Sequence, residues 1–249
     1  MVDDFEAEQA SLMDVVAALS GEQWLLPTPA SGWDVRDQIS HLADTDDIAL
    51  ASIRGGPRNL LEEGARYAEQ YGNPDGFTQH QVEMGRTMEP RQVLEWWKEA
   101  AEKLRAALLG CDPTERIPWG PNSMSPRSFT TARLMETWAH GLDVRAAVGE
   151  PPSETERLRH VAWIVYSARP YAFQVAGRAM PPGDLRVELE APDGSTWALG
   201  PEDADNRITG TALEYCRVGV QRMPLSEATT LKAEGELAHA ALEVARAFL

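Results

Sequence analysis

Two histidines and a glutamate have the residue types and spacing of a metal site. Glu136, His140 and Asp143 are separated by four and three residues, so in a helix their side chains project from one face. A carboxylate and an imidazole one turn apart can bind a single cation, as in helical zinc sites. His41, in an apolar stretch of an earlier helix, would add a third ligand if the two helices faced each other. Three protein ligands leave a fourth position open, which is typical of catalytic metal sites.

The same spacing has a simpler interpretation. A glutamate four residues before a histidine often forms a solvated pair on a helix surface. The surroundings favour the metal site, because Glu136 and His140 share their helix with Leu134 and Val144, and a buried imidazole or carboxylate is costly without a partner. Asp143 has two interpretations: an acid/base or orienting group beside the metal, or a charge in the last turns of a helix.

The remaining histidines and the tryptophans give weaker signals. His80 lies in a glycine-rich segment and is predicted at the surface, whereas His160 and His239 are predicted at the rims of amphipathic helices. Three tryptophans are most simply core residues, with a stacking wall for a ligand as the alternative: Trp33, Trp138 and Trp163.

Helical periodicity predicts four long helices in the first 150 residues, over 3–19, 34–53, 90–110 and 126–148. Asp34 and Ser125 are predicted to cap the second and fourth of them. On the second helix, three aspartates are predicted to face water: Asp44, Asp46 and Asp47. The glycine-rich residues 57–89 are predicted to form a long connection with a short helical piece. This arrangement predicts a four-helix bundle, a favoured place for metal sites.

After Pro152 the pattern changes to one helix followed by short alternating strands. The predicted elements are a helix over 153–177 that Pro170 kinks or ends, a hairpin of 185–190 with 195–199, a strand over 206–210 leading into a helix through 220, a strand over 229–233 and a helix over 236–248. The predicted fold class is therefore α+β and mostly α. Residues 1–150 are predicted to form a helix bundle, and residues 151–249 a small α+β domain with an antiparallel sheet.

Charge and composition exclude several classes of protein. The chain has 23 basic and 39 acidic residues, a net charge of -16, which argues against nucleic-acid binding. No apolar run approaches the roughly 20 residues that span a bilayer, and the acidic first residues are unlike a signal peptide. We therefore expect a soluble, cytoplasmic protein. Cys111 and Cys216 lie far apart, which excludes a disulfide framework or a cysteine-rich zinc site.

Two blocks of this sequence resemble a known family. Residues 32–42, GWDVRDQISHL, and the block Glu136-x-x-x-His140-x-x-Asp143 resemble the signature blocks of the mycothiol-dependent maleylpyruvate isomerase family, whose N-terminal domain is a DinB-like metal-binding four-helix bundle. That resemblance covers residues 5–150. Residues 191–201, APDGSTWALGP, together with Gly210 and Arg222, resemble the family's small C-terminal α+β domain.

The resemblance implies a ligand set and a cosubstrate. It implies a divalent metal, usually zinc, held by His41, Glu136 and His140, and mycothiol as a low-molecular-weight thiol. It also implies active-site roles for Asp143 and for a C-terminal arginine. Arg222 is the candidate for this arginine and Arg217 its rival, since Gln221-Arg222-Met223 departs from the family's Gly-Arg pattern and leaves the substrate open.

The predicted function is that of a metal-dependent enzyme that activates a thiol for isomerisation or S-transfer on a small electrophile. Asp143 would move the proton, and Arg222 would bind a substrate carboxylate. Two alternatives stay open: a metal Lewis-acid hydrolase or cyclase that uses no thiol, and a non-catalytic metal-binding protein. The native metal and the oligomeric state are not predicted.

Overall fold

The structure is a computed structural model that describes residues 1–73 and 75–247. Pro74, in the predicted connection, and Phe248, the predicted end of the last helix, lie outside the described residues. The chain divides into two compact units, Met1–Pro152 and Ser153–Leu249. The two units are described separately.

The described part of the first unit contains six α-helices, a short 3₁₀ helix (Gln23–Leu25) and one small hairpin. They are α1 (Val2–Ala17), α2 (Val35–Arg54), α3 (Leu60–Tyr71), α4 (Gly76–Arg86), α5 (Pro90–Leu109), β1 (Ile117–Trp119), β2 (Asn122–Met124) and α6 (Pro126–Val148). The four long helices, α1, α2, α5 and α6, are those that the periodicity predicts. They enclose an apolar core of Leu12, Val16, Trp24, Val35, Ile39, Leu42, Val93, Leu94, Trp97, Ala101 and Val144.

Local sequence signals set the ends of the two helices that carry the predicted ligands. Asp34 caps α2 in a reciprocal capping box with Asp37, and Gly55 ends the helix in the left-handed conformation at φ 67°. Ser125 caps α6, and Gly149 ends it at φ 76°. The predictions of Asp34 and Ser125 as caps are confirmed.

The predicted long connection over 57–89 is wrong, because most of it forms the helices α3 and α4. Two of its glycines act at a helix end and at a helix contact. Gly72 ends α3 at φ 62°. Gly85 faces α2, where a Cβ would collide with the Cβ of Ser40, so glycine allows α4 to pack closely on α2. This packing brings α4 alongside one of the predicted ligand helices.

Two of the three aspartates predicted to face water are buried. Asp44 is 1% exposed and binds Arg58 Nη1 at 2.6 Å, whereas Asp46 is 0% exposed and binds Arg133 Nη2 at 2.9 Å. Asp47 is half-buried. A carboxylate can be buried where a guanidinium neutralises it. Arg58 lies beyond the end of α2 and Arg133 lies on α6, so the periodicity of α2 alone could not show these pairs.

The second unit combines helices with a four-stranded sheet. Its described elements are α7 (Leu158–Ser167), α8 (Arg169–Val175), β3 (Leu185–Glu190), β4 (Thr196–Leu199), β5 (Asn206–Thr211), α9 (Ala212–Gly219), β6 (Lys232–Glu234) and α10 (Glu236–Glu243). The strand order is β4-β3-β5-β6. The predicted helix over 153–177 is two shorter helices. α7 begins only at Leu158, and the helix is interrupted at Ala168, two residues before Pro170.

The sheet is mixed rather than wholly antiparallel. The predicted hairpin of β3 and β4 is antiparallel, and β5 and β6 also pair antiparallel, but β3 and β5 run parallel. β4 ends beside the beginning of β3. At Gly200 the chain then passes so close to Leu185 that a Cβ would collide with the Leu185 carbonyl. β5 begins opposite Leu185 and therefore runs in the same direction as β3.

The last two elements differ from their predicted bounds. β6 is Lys232–Glu234 rather than 229–233, because the backbone N–H of Thr230 donates to Glu214 Oε2 at 2.8 Å instead of to a strand. The last helix ends at Glu243. Beyond it, the N–H of Ala247 donates to the carbonyl of Gly219 at 2.9 Å, which turns the chain away from helical geometry.

No helix within residues 1–73 and 75–247 has the length and apolar character to cross a membrane.

Candidate metal centre

Helices α2 and α6 bring the three predicted ligands together. His41 comes from α2, and Glu136 and His140 come from one face of α6. One potential ligand atom of each residue lies within 4.8 Å of those of the others. The imidazole centroids are 4.5 Å apart, and His140 Nε2 is 3.4 Å from Glu136 Oε2. This cluster has the size and the donor types of a site for one divalent ion.

The cluster is largely removed from water. His41 and His140 are 9% and 8% exposed, and the Glu136 side chain is 24% exposed. Burial and the neighbouring His140 lower the pKa of His41 to about 3, so this imidazole is neutral at neutral pH. Burial would raise the pKa of Glu136, but its hydrogen bond to His140 and the charge of Arg133 outweigh burial and lower it to about 2. Both groups therefore have the protonation state that metal binding requires.

Two buried glutamines contact the Nδ1 atoms of the two imidazoles. Gln81 Oε1 lies 2.8 Å from His41 Nδ1, and Gln38 Oε1 lies 2.6 Å from His140 Nδ1. Sequence reasoning missed both residues. Gln38 stands three residues before His41 but contacts the other histidine, and Gln81 lies in the segment predicted to be a connection.

Trp33 forms an aromatic wall beside the two imidazoles. Its ring stacks on His140 with centroids 6.0 Å apart and 15° between planes, and it lies 5.4 Å from the His41 ring. Trp33 is half-buried, which fits the ligand-wall interpretation better than a core position. Trp138 is a core residue at 2% exposure, whereas the prediction of Trp163 as a core residue is wrong because it is 43% exposed.

The family comparison agrees with this geometry. The model of the mycothiol maleylpyruvate isomerase N-terminal domain family matches residues 5–145, which include all three clustered residues. The chain belongs to this family. Membership of a family named for an isomerase supports the prediction of an enzyme.

Relatives and solved structures extend the likeness beyond the matched domain. Two uncharacterised proteins of Mycobacterium tuberculosis, from strains CDC 1551 / Oshkosh and ATCC 25618 / H37Rv, are each 38% identical over 249 residues, covering 99% of this chain and 94% of theirs. Crystal structures of the mycothiol-dependent maleylpyruvate isomerase and of one of its mutants have TM-scores of 0.58 and 0.60 at 14% and 12% identity. Each alignment covers 93% of this chain and 90% of the other. This likeness confirms the mostly helical α+β fold class.

The two further residues expected from the family resemblance occupy different units. Asp143 is 1% exposed and lies one turn after His140 on α6, outside the group of three clustered ligands. Arg222 belongs to the second unit, where its Nη1 donates to the Val220 carbonyl at 3.1 Å. Its rival Arg217 donates to the Arg222 carbonyl at 3.4 Å. Their roles remain predictions.

Among the described residues, the other three histidines are not part of the clustered group. The prediction of His80 as a surface loop residue is wrong, because it is half-buried on α4 and stacks on Tyr67 with centroids 3.9 Å apart. His160 is half-buried, and His239 is exposed on α10.

The metal-free protein is expected to lose stability in acid because of His41. The unfolded imidazole takes up a proton near pH 6.5, whereas the folded one stays neutral down to about pH 3. The unfolded state therefore binds more protons between these values, and the free energy of unfolding falls by at most about 1.4 kcal/mol per pH unit as pH decreases. Urea unfolding of the wild type and of His41→Gln between pH 7 and 4.5 would measure this loss. The free energy of unfolding should depend less steeply on pH in the variant than in the wild type. Equal slopes would contradict the prediction.

Proposed function

We propose that this chain is a divalent-metal-dependent enzyme of the maleylpyruvate isomerase type. It would use a low-molecular-weight thiol, mycothiol, either for isomerisation or for S-transfer to a small electrophilic substrate. The observation that carries the proposal is the convergence of His41, Glu136 and His140 in one buried cluster within the family's matched region.

The chemistry of the donor set fits a metal ion. When the His140 imidazole is neutral with its proton on Nδ1, its Nε2 and the Glu136 carboxylate are two acceptors 3.4 Å apart. Two such acceptors need a cation between them, either a proton or a metal. Two imidazole nitrogens and one carboxylate oxygen match the ligands of catalytic zinc, so we propose zinc as the ion.

A divalent ion held by these three residues would lower the pKa of a bound thiol or water and would so supply a nucleophile at neutral pH. The chain's own residues would orient the reactants. Trp33 would offer an apolar wall beside the imidazoles. Asp143, one turn beyond His140, is proposed to hold and return a proton. Arg222 is proposed to bind a substrate carboxylate through its guanidinium.

The proposal is tested by the dependence of turnover on both metal and thiol. Zinc-loaded protein is expected to isomerise maleylpyruvate, or to consume mycothiol with an electrophile, and to lose this activity when either the thiol or the metal is withheld. Asp143→Asn should lower kcat by about 10²–10⁴-fold if this residue handles the proton. Mycothiol should also raise the melting temperature of the zinc-loaded protein, because a ligand that binds the folded state stabilises it.

The alternative functions predict different results. Turnover of a substrate without thiol would indicate a Lewis-acid hydrolase or cyclase. Stable zinc binding with no turnover and no thermal shift from mycothiol would indicate a non-catalytic metal-binding protein. Either result would overturn the proposed use of a thiol.

A further inference from the structure

The position of one proton on each imidazole decides whether the clustered histidines can bind a metal. A neutral imidazole carries a proton on one ring nitrogen and a lone pair on the other. In both His41 and His140, Nδ1 lies within hydrogen-bond distance of a glutamine Oε1, at 2.8 and 2.6 Å. The orientation of each glutamine amide therefore determines which nitrogen of its histidine is protonated.

The orientation of the Gln81 amide follows from its other partners. Its Nε2 lies 2.8 Å from Asp44 Oδ2 and 3.3 Å from Thr45 Oγ1. Asp44 binds Arg58 at 2.6 Å, and an ionised carboxylate only accepts hydrogen bonds. The Thr45 hydroxyl donates to the carbonyl of His41 at 2.6 Å, which leaves it to accept from Gln81. The amide nitrogen must therefore face Asp44, and the oxygen must face His41, whose Nδ1 carries the proton.

The same reasoning determines the orientation of the Gln38 amide. Its Nε2 lies 2.9 Å from Thr28 Oγ1. The Thr28 hydroxyl donates its one proton to the carbonyl of Trp33 at 3.0 Å and so accepts from Gln38. The Gln38 oxygen then faces His140, and Nδ1 of His140 must be the donor. Each chain of hydrogen bonds ends on a group that can only accept, a carboxylate in one and a backbone carbonyl in the other.

We infer that Gln38 and Gln81 are positioning residues that keep Nδ1 of both imidazoles protonated, so that Nε2 is the nitrogen left to bind a metal. As a positioning role toward a metal, the inference rests on the proposed function. Both glutamines are 0% exposed, so water does not replace them readily when they are removed. The two side chains fix the rotation of each ring and the proton on its Nδ1 before any metal binds, which reduces the ordering cost of binding.

Zinc affinity measures this role directly. Zinc titration against a chromogenic chelator should show binding weaker by about 10–100-fold in Gln81→Leu and in Gln38→Leu than in the wild type. Gln79→Leu is the matched control, because Gln79 lies exposed on the same helix as Gln81 and its side chain donates a hydrogen bond to the exposed Glu83. The control should bind zinc as the wild type does. Unchanged affinity in both buried variants would overturn the inference.

The tautomer can be read without metal and without a variant. Long-range ¹H–¹⁵N spectra of the metal-free wild-type protein at pH 8 should show a protonated Nδ1 and an unprotonated Nε2 for His41. A proton on Nε2 of His41 would overturn the inference, even if the substituted proteins fail to fold. A wild-type protein that binds no zinc would contradict the proposed function instead, and the His41 tautomer would still decide whether the glutamines fix the ring.

Discussion

Replacement of His140 by alanine is expected to abolish zinc binding in a protein that remains folded. The substitution removes one of three proposed ligands and leaves Glu136 and His41 without a third donor. The loss of affinity should exceed the roughly 10–100-fold that removal of an outer-shell partner costs. Because the three proposed ligands form one site, elemental analysis after dialysis should find about one zinc ion per wild-type chain. It should find almost none in the variant.

His239→Ala is the matched control for this experiment. His239 is exposed on α10 of the second unit, its Nδ1 lies 2.8 Å from the carbonyl of Gly235, and it is not part of the clustered group. The control should keep its zinc, and added zinc should raise the melting temperature of the wild type and the control but not of His140→Ala. A His140→Ala protein that retains stoichiometric zinc would show that the ion, if any, is bound elsewhere.

Replacement of Arg133 by methionine is expected to destabilise the protein by about 3–5 kcal/mol, because it leaves the buried carboxylate of Asp46 without a cation. Arg133 is 2% exposed, and both its Nε and its Nη2 bond Asp46 Oδ1, at 3.1 and 2.9 Å. The remaining partners of Asp46 are the neutral donors Gln9 and Trp97. Urea unfolding at pH 7 measures the loss.

Two further variants test whether the loss of stability comes from the uncompensated buried charge or only from the loss of one ion-pair contact. Asp46→Asn added to Arg133→Met should recover part of the lost stability, because it removes the uncompensated charge. Lys103→Met breaks the exposed pair with Glu99 and should change the free energy of unfolding far less than Arg133→Met does, because solvent screens the exposed charges. If Arg133→Met were as mild as Lys103→Met, the Asp46–Arg133 pair would contribute little to the stability of the fold.

Arg133 also links the stability of α6 to the candidate centre. It lies one turn before Glu136, and its charge contributes to the lowered pKa values of Glu136 and His41. The pair with Asp46 holds this guanidinium in the core between α2 and α6. The same ion pair therefore joins the two helices that carry the clustered ligands and favours an ionised carboxylate among them.

Local rules were enough to predict the four long helices and the alignment of Glu136 with His140. Helix periodicity, the caps at Asp34 and Ser125 and the four-residue spacing all act within a few turns of chain, so they can be read directly from the order of residues. The hairpin of β3 and β4 was predictable for the same reason, since its turn and its alternation are local.

Contacts between distant residues decided the rest. Gln38 and Gln81 could be recognised only after helix packing had placed them behind the imidazoles, and Asp46 was predicted at the surface because its cation lies 87 residues away. The glycines of the segment over 57–89 indicated a loop, although Gly85 permits close packing of α4 on α2. The amino-acid sequence alone thus determined which helices form and which residues share a helix face. Tertiary structure alone decided which faces meet. Burial and hydrogen bonding depend on contacts between side chains of different helices, and the order of residues does not show these contacts.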